Sequence, residues 1–309
     1  MDGPSPQIEP HFSGHETFTL RYGWLKKAYD AVKDYSEDDS SAFRADNATA
    51  RFGVGKNMVS SIRHWATVSG VIGMEPRDKK EFITDFGSFL FDDKSGRDPY
   101  MENPTTSWVV HWNLSHRADQ KTTWFWAFNH FHEIDFEREV LEQGLRKLSQ
   151  DHDWKRVAES TIKRDVACFI RTYAAQPIFK RTTYEDAIES PLTELGLLHQ
   201  IGRRDKFRFV RGPKRALGIG AFGYAVAEFW RDHFDESATL AFDSLAHQPS
   251  SPGRVFLLDE NSLYNFCGQL EEVSGGIYRW SETAGLRQMV RTERLDKRHD
   301  FDMLSLDYR

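Results

Sequence analysis

Apolar residues step along the chain at three- and four-residue intervals through Leu20, Trp24, Leu25, Ala28 and Tyr29, which predicts a helix from about Phe18 to Asp34. Ahead of it, residues 1–10 are rich in Pro and small polar residues and read as a loose arm. The run Ser36-Glu37-Asp38-Asp39-Ser40-Ser41 breaks the periodicity as a solvated acidic loop. Asp46 or Asn47 then caps a short helix, Ala48 to Phe52. Gly53 and Gly55 punctuate a tight turn. A second helix is expected from Lys56 to Ser69, with Met58, Val59, Ile62, Trp65 and Ala66 on its apolar face and Lys56, Asn57, Ser60, Arg63 and His64 on the other. Gly70 suits a left-handed stop. Val71–Met74 and Glu81–Thr84 read as two short strands around a polar tip, and a further helix starts near Thr84. Helix, glycine turn, helix and hairpin in this order predict a winged helix-turn-helix.

Beyond it, residues 85–135 are aromatic and expected to be helical, with apolar segments around Trp108–Leu114 and Trp124–Phe131. The histidines among those rings, His111, His130 and His132, read as core or edge residues; His130 and His132 lie two apart and would diverge on a helix. The polar stretch Glu142–Asp153 is the candidate link between an N-terminal domain, 1–140, and a C-terminal domain, 154–309. Ala158–Tyr173 predicts an amphipathic helix, and Leu197–Ile201 with Phe207–Arg211 a second hairpin in a second winged-helix-like unit. Pro252-Gly253 starts a turn, Glu260–Glu271 is helical, and the charged tail from Arg291 is expected to be exposed and partly disordered. The fold class expected is therefore mainly α with small β-hairpins, a multi-domain helical protein carrying winged helix-turn-helix modules.

Composition narrows the function. Aromatic residues make up 14% of 309 residues, enough bulky rings to bury a large apolar area, which excludes global disorder. No apolar run is long enough for a membrane helix, and the first residues lack the pattern of a secretory signal. Two cysteines, Cys168 and Cys267, cannot build a disulfide framework or a four-cysteine zinc site, and a reducing cytoplasm is the expected compartment. Both thiols sit among apolar neighbours, so neither is proposed to carry sulfur. A formal charge of −6 excludes a uniformly basic coat but not a local basic face.

Such faces are visible. Lys56, Asn57, Ser60 and Arg63 are placed to face the major groove, the hairpin tip with Lys79 to touch phosphate, and Arg44 and His64 are further DNA-binding candidates. Between Arg203 and Arg215, the residues Arg203, Arg204, Lys206, Arg208, Arg211, Lys214 and Arg215 face a single acid, Asp205. Such a cluster would neutralise several phosphates; its plainer alternative is a solvated hairpin whose charged edges prevent strand pairing. The string GVGKN suggests a phosphate-binding loop, but Ala50 and Asn57 occupy positions that the motif reserves for Gly and Ser or Thr.

Several strings together, FSGHETFTLRYGWLKKAYD, FGVGKNMVSSIRHW, DPYMENPTTSWVVHWNL, TIKRDV, ESPLTELGLL and SPGRVFLLDE, resemble the SspB family, the nicking component of single-stranded DNA phosphorothioation defence systems. The resemblance spans residues 12 to about 290. It implies a DNA-acting protein that works with a cysteine desulfurase, an ATP pyrophosphatase-like protein and an ATPase, and that opens one strand of double-stranded DNA for sulfur insertion. No familiar nuclease signature accompanies it. Within the matching strings, His15 and Glu16 stand side by side, with Arg21 available to a phosphate, and are the first catalytic candidates. Asp165, next to Lys163 and Arg164, is the second, and Asp46, which also reads as a cap, the third. Glu16 and Asp165 are the candidate ligands of Mg2+ or Mn2+. The local alternatives are a helix cap for Glu16 and a neighbouring ion pair for Asp165. A non-catalytic DNA-recognition scaffold fits the same segments as well as a nickase does.

Overall fold

The computed structural model describes residues 9–35, 41–44, 48–77, 80–175, 190–202, 205–283, 285–294 and 296–308. Asp46, Lys79, Arg203 and Arg204 lie outside them. The first helix, α1, runs Trp24–Lys33 rather than from Phe18. Gly23 precedes it at φ 76, so the segment before it turns instead of coiling. Trp24, Leu25, Ala28 and Tyr29 pack inward as the periodicity requires.

Then follow α2 (Ala48–Phe52) and α3 (Lys56–Val68). Strands β1 (Ile72–Met74) and β2 (Glu81–Ile83) pair antiparallel with Ile72 opposite Ile83, and α4 (Asp85–Phe91) is capped by Thr84, whose hydroxyl accepts the Gly87 amide. Gly70, at φ 79, supplies the left-handed stop after α3.

The centre is apolar. Helices α5 (Pro104–Ser115) and α6 (Thr122–Asn129) bring Trp108, Trp112 and Trp124 into full burial. Strand β3 (Asp135–Glu137) begins at the last residue of the stretch expected to be helical and was not foreseen. The proposed link is largely helix α7 (Arg138–Asp151), because Leu141 and Leu145 lie on one face and bury it. Helix α8 (Glu159–Tyr173) packs on α7.

A 3₁₀ turn (Pro191–Leu195) leads into β4 (Leu198–Gln200) and β5 (Lys206–Phe209). That hairpin gains β3 as a third strand, with Phe136 opposite Phe207, so one sheet draws on both halves of the chain. Phe136, Phe207 and Phe209 cluster on its inner face.

The last third is built on α9 (Ile219–Phe234). Around it stand β6 (Thr239–Ala241), α10 (Phe242–His247), α11 (Pro252–Val255), α12 (Glu260–Val273), β7 (Tyr278–Thr283) and β8 (Leu286–Arg291). The Pro252-Gly253 turn is thus the opening of a short helix, which Ser251 caps.

The charged tail is ordered, contrary to expectation. Helix α13 (Lys297–Leu304) and a 3₁₀ turn (Ser305–Asp307) lie against α9, with Met303 and Leu304 buried. The approach is close: a Cβ on Gly220 would stand 2.7 Å from the Met303 carbonyl oxygen. The described residues are mixed α and β, mainly helical, with three small antiparallel sheets.

Candidate functional site

A cavity of about 760 Å³ opens beside the polar face of α3. Lys56, Ser60, Arg63 and His64 wall it from the helix, Arg44 from the segment before α2, and Gly14 and Glu16 from the loop ahead of α1. Six of these seven residues were candidates from sequence, and the helical spacing of the α3 residues explains why they share a face.

Loop 13–17 has an unusual course. Ser13, Gly14, Glu16 and Thr17 have φ of 64, 86, 47 and 67°. Three of them are not glycine, so the backbone is held in a region that ordinary residues avoid. Gly14 needs its hydrogen: a Cβ there would lie 2.5 Å from His64 Nδ1. No helix begins at Glu16, so that carboxylate is not a cap. It is exposed on the cavity wall.

Beneath the loop lies a buried polar centre. Asp165, on α8, is 0% exposed, and its Oδ1 accepts from the Ser13 amide at 2.8 Å, from His15 Nε2 at 2.8 Å and from Lys121 Nζ at 3.0 Å. His15 Nδ1 accepts the Thr17 amide at 3.0 Å, so its proton is on Nε2, facing the carboxylate. Burial by itself would push the Asp165 carboxyl up, but the charge of Lys121 and the His15 hydrogen bond together hold it well below the usual range. His64 is pushed well down, first by burial and then by the charge of Lys121, which keeps its imidazole neutral.

The structure therefore brings His15 and Asp165 together, although 150 residues separate them, and buries both beneath the cavity. Asp165 is paired across elements and not with its neighbours on α8. Arg63 faces the cavity but donates from Nε to Glu81 at 2.5 Å, and Glu81 also accepts from Ser41. Lys56, Asn57 and Ser60 are exposed at the start of α3; Asn57 is not part of the cavity wall. Arg21 lies over the rings of Phe18 and Trp24.

The second basic segment is less free than its charges suggested. Arg208 pairs with Asp135 across the β3–β5 ladder, through bonds of 2.5 and 2.6 Å. Arg211 donates to the Leu258 carbonyl at 2.9 Å, and Lys214 to that of Val210 at 2.5 Å. Lys206 is exposed. Among the histidines, His111 is fully buried between the Tyr173 hydroxyl and the Val255 carbonyl. Cys168 and Cys267 are buried, and burial pushes both thiols up to about 12.

Lys121 is the residue that sequence reasoning missed. Its signal was present: a lone cation opening the segment KTTWFWAF, which is otherwise apolar enough to be core. An ionisable group at such a place needs a buried partner. Among the described residues, no group of three or more His, Cys, Asp and Glu is arranged to hold a metal ion, and no helix is long and apolar enough to cross a membrane.

A family model described as "Protein of unknown function (DUF4007)" matches residues 12–308. Two solved structures are similar over nearly the whole chain. One, described as "Magnesium ion-bound SspB crystal structure", is 28% identical with a TM-score of 0.85, covering 97% of this chain and 88% of that one. The other, "SspB crystal structure", is 27% identical with a TM-score of 0.84, covering 98% and 89%. No curated protein matches the chain.

Proposed function

The chain belongs to the DUF4007 family, and from that premise we propose that it is an SspB-like, DNA-acting component of a phosphorothioate modification and antiphage defence system, a cytoplasmic nickase that opens one strand of double-stranded DNA for sulfur insertion. Its partners would be the cysteine desulfurase, ATP pyrophosphatase-like protein and ATPase of the same system. The observation that carries this reading is the cavity itself: Lys56 and Arg44 offer positive charge on its walls, and Glu16 is a carboxylate at the same surface. Cations of that kind take phosphate oxygens, and a carboxylate can receive a proton from attacking water.

The order α2, turn, α3, β1, β2 supports a winged-helix mode of approach, with Lys56, Asn57 and Ser60 toward the groove. A divalent ion, Mg2+ or Mn2+, would supply charge neutralisation on the phosphate. The residues fit such an ion at Glu16, which is exposed, and not at Asp165, whose Oδ1 already carries three donors including an ammonium.

The test is supercoiled plasmid incubated with the purified chain and Mg2+ or Mn2+. Relaxed circles from the native protein and none from Glu16→Gln support the nickase. Equal relaxation by both removes Glu16 from the reaction. No relaxation, with duplex still bound, leaves the second reading, a DNA-recognition scaffold that delivers the sulfur-transfer partners. The sealing of Asp165 and the tying of Arg63 to Glu81 favour that second reading.

A further inference from the structure

We infer that Asp165, Lys121 and His15 form a buried clamp that holds loop 13–17 in its left-handed course, which makes Asp165 a positioning residue of the cavity and not a metal ligand. The activity arm of this inference rests on the nickase reading above; the rest does not.

The loop is gripped at successive points from three elements. Asp165, on α8, takes the Ser13 amide, and Lys121, at the head of α6, donates to the Ser13 carbonyl at 3.2 Å. The same lysine binds Asp165, so amide, carbonyl, ammonium and carboxylate close a ring around one residue of the loop. His15 reaches Asp165 through one nitrogen and receives the Thr17 amide through the other. Its carbonyl accepts the Ser61 hydroxyl of α3 at 3.0 Å. Arg171 of α8 donates to the Thr17 carbonyl at 2.5 Å.

Left-handed backbone at non-glycine residues costs of order 1 kcal/mol or more each, and it persists only where surrounding contacts over-determine it. Here they do. Glu16 has no grip of its own among these contacts, yet it is fixed between His15 and Thr17, both of which are held. That places its carboxylate on the cavity wall and sets Gly14 against His64.

A metal at Asp165 meets two obstacles. Lys121 already provides the carboxylate with a cation at 3.0 Å, and a divalent ion beside it would face strong repulsion at a site with no exposure. The other oxygen, Oδ2, carries no hydrogen-bond partner among the described residues, but it is sealed from solvent, so an ion would reach it only stripped of its water. The fixed cation at this carboxylate is Lys121.

The full-length chain carrying Asp165→Asn tests this, with His15→Gln as a second variant should the first not fold. Amide exchange at Ser13 and Thr17 is followed against that of the α3 core amides, and Mn2+ binding by electron paramagnetic titration. Expected is exchange faster by about tenfold or more at Ser13 and Thr17, with α3 protection kept and Mn2+ binding unchanged by Asp165→Asn. In the plasmid assay, Asp165→Asn lowers kcat while the affinity for duplex stays as it was. Loss of Mn2+ binding in folded Asp165→Asn, or native exchange at Ser13 and Thr17 in either folded variant, overturns the clamp. Should the native protein neither nick nor bind Mn2+, the nickase fails and the exchange measurement alone decides the clamp.

Discussion

Lys121 and Asp165 meet at 3.0 Å with neither side chain exposed to solvent. An ion pair so placed gains little over a packed apolar pair, but the loss of one partner strands the other. Asp165→Ala is therefore expected to destabilise the protein by about 3–5 kcal/mol. Lys121→Met combined with Asp165→Leu should cost less than the two single changes added together. Urea unfolding of the four proteins in a double-mutant cycle reads the difference. Additive losses would mean that the two groups do not act as a pair.

His111 and His116 connect the aromatic core to pH. Burial is the first cause in both, pushing His111 down to about 3 and His116 to about 4. An unfolded histidine titrates near the ordinary 6.5, so between there and the folded values the unfolded chain binds more protons. The sign follows: their contribution is complete above about 6.5 and is lost as pH falls. Going from pH 7 to pH 6 should cost about 0.7 kcal/mol for each. Asp300, raised to about 6 by burial, works in the opposite sense and offsets about 0.3–0.4 kcal/mol of this between pH 7 and pH 6. Urea midpoints at the two pH values check this; equal midpoints would show that the imidazoles are not held neutral.

Much of this arrangement could be read from the chain. The helix, glycine turn, helix and hairpin of residues 48–84 are local, set by periodicity, Gly70 and the Thr84 cap, and their limits came within a residue or two. His15, Glu16, Lys56, Ser60, Arg63 and His64 were candidates before any fold was known. What sequence could not supply was long-range pairing. Nothing near Lys121 or Asp165 indicates that they meet across 44 residues. Strand β3 is three residues whose partner is β5, and a piece that short is specified by its neighbour, not by its own pattern. How much of the basic run after Arg203 is already engaged was hidden as well, because net charge is blind to Asp135 and to the Leu258 carbonyl.

Duplex affinity should separate free cations from committed ones. Lys56→Glu, on the exposed start of α3, is expected to weaken binding to every sequence and to reduce the salt slope by about 1 or more. Arg208→Ala should change it less, since its guanidinium is occupied by Asp135. Fluorescence anisotropy on a labelled duplex across a salt series measures both. A larger effect at Arg208 would move the interface to the β3–β5 sheet.

The last testable point is the C-terminal segment. Helix α9 is preceded by Gly218, which has no side chain to cap it, and its first turn leaves amides to be satisfied. Asp307, 87 residues beyond Gly220, supplies the cap: Oδ1 accepts from Gly220 at 2.9 Å and Oδ2 from Ala221 at 2.8 Å. Asn103 donates to the Asp307 carbonyl at 2.8 Å, which ties the start of α5 to the same residue. The segment is thus a bolt across two buried helices, although its charged composition reads as a loose end. Asp307→Ala should cost about 1–2 kcal/mol, a drop of a few degrees in Tm, and Asp307→Asn less, because one oxygen remains to accept. Truncation gives a second measure: removal of residues 305–309 also exposes the apolar contacts of Leu306 and Tyr308 and should exceed the alanine substitution. Calorimetry distinguishes these cases, and an unchanged Tm in both the substituted and the shortened chain would show that α9 holds its first turn without help from the tail.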